Sequence, residues 1–152
     1  MRRDKTLKVR DCFIAPLVVL ALTAPGWSQA EVCADLHAAK KTTYGFRASE
    51  LTEEQRQHKS NEMDSFWDLV KEKGGAGITC LKDMLLAETE DGFFVFDGSS
   101  LLLALDPSQE SVATASQALR YASLAEEDAA GYLKLVLQLS RRGADIGPLA
   151  EK

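Results

Sequence analysis

The side chains whose type and spacing could do chemistry are few: Cys33 and Cys80, the set Glu54, His58 and Glu62, the acids Glu88, Glu90 and Asp91, and the pair Ser99 and Ser100. Glu54, His58 and Glu62 recur every four residues, so one helix face would carry two carboxylates and an imidazole, ligand types suited to a divalent metal. Their neighbours are also charged, which makes a solvated face the better reading, and His37 has no sequence-level reason to join them. Glu88, Glu90 and Asp91 precede Gly92 as acids do in a calcium loop, yet the alternating oxygen ligands and the closing Glu are missing; a turn between helices accounts for them better. No Gly-x-Ser-x-Gly turn exists, and Ser99-Ser100 follows an Asp-Gly turn signal that already explains it. Carboxylates are so numerous that chance pairs are guaranteed, so no acid and base can be singled out. Trp67 beside Phe66 fits a packed helix face. No catalytic residue, metal or cofactor is therefore expected.

Cysteine chemistry depends on compartment, and the N-terminus addresses that. Arg2, Arg3, Lys5, Lys8 and Arg10 stand against Asp4 in the first ten residues, and no charge occurs from Phe13 to Ala24. That apolar run is well short of the roughly 20 residues that span a bilayer. Pro25-Gly26 breaks it, and Ser28-Gln29-Ala30 places small residues where a signal peptidase reads, so residues 1–30 are expected to be a cleaved signal peptide and 31–152 a single helical domain. No stable membrane anchor would survive cleavage. Cys33 follows Val32 rather than a small residue, which argues against lipid attachment. In an oxidising compartment the two remaining cysteines, Cys33 and Cys80, are expected to pair. Their bridge would close a loop of roughly 47 residues, worth roughly 4 kcal/mol in the chain-entropy model. Neither belongs to a Cys-x-x-Cys pair, so a metal site is not the expected role.

The first 30 residues hold five of the 18 Lys and Arg and two of the 23 Asp and Glu, so the rest carries 13 against 21 and a net charge of about −8. A nucleic-acid partner is excluded on that balance, since a polyanion would be repelled and no basic run with interleaved aromatics follows Ala30.

The elements that must position these groups read as helices. Residues 31–41 place Val32, Leu36 and Ala39 on one side, with Lys40 and Lys41 at the pole that favours cations. A loop through Tyr44-Gly45-Phe46 follows, and then Thr52 with Gln55 forms a capping box for a helix to Lys73 bearing Met63, Phe66, Trp67 and Val70. Gly74, Gly75 and Gly77 are expected to end it, with a new helix over 78–87 carrying Cys80. Residues 93–105 contain Asp97-Gly98 between two apolar runs, a hairpin signal, but no other strand candidate exists to complete a sheet and the Leu-rich half prefers helix. Helix is the favoured reading. Asp106 with Pro107 and Gln109 reads as the next helix start, ending near Arg120. Ser123 with Glu126, or Asp128, caps a helix whose Tyr132, Leu133, Leu135, Val136, Leu137 and Leu139 leave little polar face, which suggests a place at the centre of the core. Arg141, Arg142 and Gly143 close it. Asp145-Ile-Gly-Pro148 opens another helix, and the chain stops four residues on, as a repeat cut short would.

Short helices in series, from Asp106 to Lys152 above all, resemble HEAT-like α-solenoid modules of a secreted, bacterial-type protein. Arg142-Gly-Ala-Asp-Ile146 resembles the closing turn of an ankyrin repeat, although that family's Thr-Pro-Leu-His opening is absent. The expected fold is all-α, antiparallel helix pairs forming a short α-solenoid or an irregular helical bundle. The resemblance implies a binding surface without catalytic residues: a periplasmic or secreted interaction module for a protein or peptide. A metal-assisted or carboxylate-based hydrolase, and a small-ligand carrier with a pocket between helices, are the competing readings. Mass spectrometry of the exported chain after alkylation without reductant should find Cys33 and Cys80 unmodified; two alkylated thiols would refute the bridge.

Overall fold

The computed structural model describes residues 26–150 apart from Leu124, Glu126 and Glu127. The basic leader, its apolar run and Glu126, the expected partner of a Ser123 cap, lie outside the described residues; Asp128, the alternative cap, stands at the N-cap of α5. The fold is all-α: α1 (Gln29–Thr43), a 3-10 turn (Ala48–Glu50), α2 (Glu53–Ala87), α3 (Gly92–Leu105), α4 (Gln109–Tyr121), α5 (Ala129–Arg141) and the single turn α6 (Gly147–Ala150). Neighbours in sequence pack together, α1 on α2 and α3 on α4, and α2 reaches both members of the second pair. Among the described residues there is no strand.

Local chemistry starts the helices. Ser28 Oγ accepts from the Glu31 amide at 3.2 Å while the Ser28 amide donates to Glu31 Oε2 at 2.9 Å. The expected box at Thr52 forms the same way with Gln55. Each reciprocal pair satisfies two amides that a helix start leaves unpaired. Residues upstream of the expected cleavage point belong to this packing. Trp27 lies over Lys73 Nζ at 3.3 Å, and Gln29 Nε2 donates to the Ala76 carbonyl at 3.1 Å. Cleavage after Ala30 would remove these contacts and the Ser28 cap, leaving Asp35, 3.1 Å away, as the partner of Lys73.

The glycine run ends the first helical half at Lys73, as its composition suggests, but the second half starts at Gly75 rather than Ile78. Gly74 alone leaves helical geometry, at φ 58° and ψ −133°, and helical backbone resumes at Gly75. In a straight helix residues 70 and 77 would lie about 10 Å apart along the axis. A Cβ on Gly77 would instead fall 2.5 Å from the Val70 carbonyl oxygen, so α2 bends sharply and presses its two halves together. Phe66 and Val70 on the first half, with Cys80, Leu81, Met84 and Leu85 on the second, thereby reach one core.

Two further expectations are corrected. Asp106 does not cap α4; Ser108 does, its hydroxyl accepting from the Ser111 amide. Asp106 instead ends α3 and takes Lys82 Nζ at 3.0 Å and the Ser111 hydroxyl at 2.6 Å, contacts that hold its carboxyl well below the usual range. Nor is α5 central. The helix surrounded by others is α3, with Phe94, Val95, Leu101, Leu102 and Leu103 fully buried and contacts to α2, α4 and α5. On α5 only Tyr132, Leu135 and Leu139 are buried, because its apolar residues divide between two faces. Gly143, at φ 84°, closes α5 as expected, and the Tyr132 hydroxyl donates to the Leu149 carbonyl at 2.7 Å, which fixes α6.

Gly77→Ala is expected to lower unfolding free energy by about 1–3 kcal/mol, since the methyl group would meet backbone that cannot rotate away. Gly75→Ala, whose added Cβ meets nothing within 4 Å, should raise it by about 0.5–1 kcal/mol through helix propensity. Urea denaturation of the two variants compares them directly, and equal effects would contradict the sharp bend.

Candidate functional site

The two cysteines come together as expected. Cys33 on α1 and Cys80 on the second half of α2 form a disulfide with Cα atoms 5.4 Å apart. Cys80 is fully buried, so the bridge is a structural clamp between the N-terminal helix and the core.

Glu54, His58 and Glu62 do not form a metal centre. His58 Nε2 lies 3.4 Å from Glu62 Oε1, but Glu62 Oε2 is taken by Lys59 at 2.6 Å, and Glu54 is exposed. The bond from Lys59 keeps the Glu62 carboxyl below its ordinary range. The Lys59 ammonium bonded to Glu62 competes with any cation for that carboxylate. His37 sits elsewhere, in a recess of about 340 Å³ with Lys40, Lys41, Tyr44 and Asp91. Among the described residues no group of three or more His, Cys, Asp or Glu side chains could hold a metal ion.

Glu88, Glu90 and Asp91 build the α2–α3 turn. Glu88 Oε1 accepts from the amides of Glu90 and Asp91 at 2.8 and 3.0 Å, and Oε2 pairs with Lys40. Asp91 Oδ1 accepts from the Phe94 amide at 2.9 Å and starts α3. Lys40 Nζ also lies 4.5 Å from the centre of the Phe94 ring, so α1, the turn and α3 meet on one ammonium. Burial opposes ionisation of Glu88, but Lys40 and the two amides prevail and hold its carboxyl down at about 2. The same turn lines an open recess of about 530 Å³ with Phe46, Arg47, Phe93 and Asp128.

Sequence reasoning missed a polar centre inside the aromatic cluster. Asp97, read as half of a turn signal, lies on α3 and accepts at Oδ2 from the Tyr44 hydroxyl at 2.5 Å and from Trp67 Nε1 at 3.0 Å. Tyr44 packs edge-on to Phe66 and Phe94, with ring centroids 5.4 and 4.9 Å away. Burial pushes the Asp97 carboxyl above its ordinary range, only partly countered by its two neutral donors. Burial and the adjacent carboxylate push the Tyr44 phenol far upward. This arrangement locks the 44–47 loop to α2 and α3.

A second feature concerns α5. Leu133 and Leu137, one turn apart, are 61% and 58% exposed, and Ala130 beside them is exposed as well. At 100° per residue the sequence itself separates Tyr132, Leu135 and Leu139 from Leu133 and Leu137, and that angular split is the signal that could have found this stripe.

No known protein family, curated protein or solved structure matches this chain. The disulfide is compatible with an exported protein, and among the described residues no helix is long and apolar enough to cross a membrane.

The opposite shifts of Glu88 and Asp97 give opposite pH behaviour. Glu88 has a folded value below its unfolded one, so its stabilisation is complete above its ordinary 4.5 and is lost as pH falls toward 2. Asp97 is raised, so its contribution is greatest below its ordinary 3.8 and is lost as pH rises through the folded value. Glu88→Gln should lower stability at neutral pH and flatten the acid limb, whereas Asp97→Asn should raise stability at neutral pH. Urea denaturation between about pH 2 and pH 7 tests both, and a common sign at neutral pH would contradict the assignment.

Proposed function

We propose that this chain is an exported helical interaction module that docks a partner on the outer face of α5. The observation that carries the reading is the pair Leu133 and Leu137, each more than half exposed on a helix whose opposite face is already anchored in the core. A helix buried on one side and apolar on the other has burial still to gain from a second surface. The tripartite leader and the disulfide support export, to the periplasm or beyond the cell. Serial packing of neighbouring helices supports the HEAT-like reading, in which an edge helix presents the binding face. The carrier reading lacks comparable support, because the recesses beside the α2–α3 turn are open and lined by charged side chains.

A photo-activatable cross-linking amino acid placed at Leu133 of the full chain, expressed in its own cells, tests the reading. Adducts are expected from position 133 and not from Glu72, an exposed control on α2. Leu133→Asp with Leu137→Asp should abolish capture by a cross-linker at Ala130 while leaving stability within about 0.5 kcal/mol, as expected for exposed positions. Equal yields from 133 and 72, or none from 133, would refute docking on α5.

A further inference from the structure

Charge on the α5 face narrows what it could hold, and the inference rests on the docking reading above. From Ala129 to Ala144 the sequence contains Lys134, Arg141 and Arg142 and no acid, although acids outnumber bases in the chain as a whole. Lys134 stands three residues before Leu137 and Arg141 four after it, the two spacings that make helix-surface neighbours. Both are exposed. Among the described residues, Lys40, Lys59, Lys73 and Lys82 are engaged by carboxylates, whereas neither Lys134 nor Arg141 forms an ion pair. The exposed leucines are thus edged by two cations that no described carboxylate neutralises.

We propose that the partner segment is an amphipathic helix whose apolar residues cover Leu133 and Leu137 and whose adjacent Asp or Glu side chains meet Lys134 and Arg141. Apolar contact supplies the burial in such a helix-on-helix mode, and the charge pairs set register and exclude basic segments. The lysine methylenes widen the apolar strip while the ammonium stays in water. A second copy docking through the same face would bring Lys134 and Arg141 against their own counterparts, so like charges oppose that occupant. An anionic lipid surface would attract the same two cations, but it would also repel the acidic remainder of the molecule.

The experiment extends the cross-linking at position 133. Mass spectrometry of the adduct is expected to place Asp or Glu within one turn of the linked residue in the partner. Lys134→Glu with Arg141→Glu should cut the yield by about tenfold, and Lys134→Arg with Arg141→Lys should retain it. Unchanged yield in the charge-reversed chain, or a linked segment that is neutral or basic, would overturn the proposal while leaving docking on α5 intact. A symmetric adduct of two copies would overturn it too. Co-sedimentation of the full chain with phosphatidylglycerol vesicles, abolished by the charge reversal and accompanied by no protein adduct, would overturn it in favour of a lipid surface. No adduct of any kind, and no vesicle binding, would remove the docking reading with it.

Discussion

The rest of the structure follows from the need to cover α3. Gly92–Leu105 is apolar nearly all round, with Ala104 its one exposed position. A helix of that kind cannot lie on a surface; it must be enclosed. Enclosure requires neighbours on several sides within a short chain, and the bend at Gly74 meets that requirement by letting one long helix present two faces. Close approach is possible because Gly98 carries no side chain. A Cβ there would lie 3.1 Å from Leu85 Cδ2, so the glycine that resembled a turn signal serves packing between α2 and α3.

The polar contacts then fix how the covering elements sit. Lys40 and Glu88 tie α1 to the end of α2, and Lys82 with Asp106 ties the middle of that half to the α3–α4 junction. Asp97, Tyr44 and Trp67 hold the loop after α1 over the aromatic cluster. Each of these carboxylates has one or more donors, so the core tolerates its acids because their lone pairs are occupied. Ser99 is the exception: its hydroxyl is buried with no partner, a destabilising feature that α3 carries for no reason visible in its surroundings. The disulfide acts on the same junction as Lys40, so the N-terminal helix is secured by a covalent link and by the ion pairs Lys40–Glu88 and Asp35–Lys73.

What could be read from the sequence was what is decided locally. Thr52 and Gln55 form their box with no help from elsewhere, and Gly143 ends α5 because few other residues accept its backbone angle. The helical character of 92–105 was legible by elimination, since a hairpin would have had no third strand. Misreadings arose where tertiary contacts choose between two adequate local patterns. Asp106 and Ser108 are both good caps, and Lys82, distant in sequence, draws Asp106 away from that role. The glycines 74, 75 and 77 all look like breakers, yet one positive φ suffices and the other two remain helical. The polar centre at Asp97 was illegible, because its partners lie 53 and 30 residues away.

The position of α5 shows why apolar content is a poor guide to depth. Its leucines outnumber those of α4, yet α4 buries Val112, Ala115, Ala118 and Leu119 along one narrow stripe while α5 divides its apolar residues between two. Small residues let α4 approach α3 closely; α5 meets α3 where Gly131 faces the Phe96 ring. With one face fixed there, Leu133 and Leu137 must point outward, since rotating the helix to hide them would expose Leu135 and Leu139. Either face could be buried alone, and only a second surface can bury both. The same angular argument puts Lys134 and Arg141 on the outward side, so exposure of the leucines and of the cations beside them has one geometric cause.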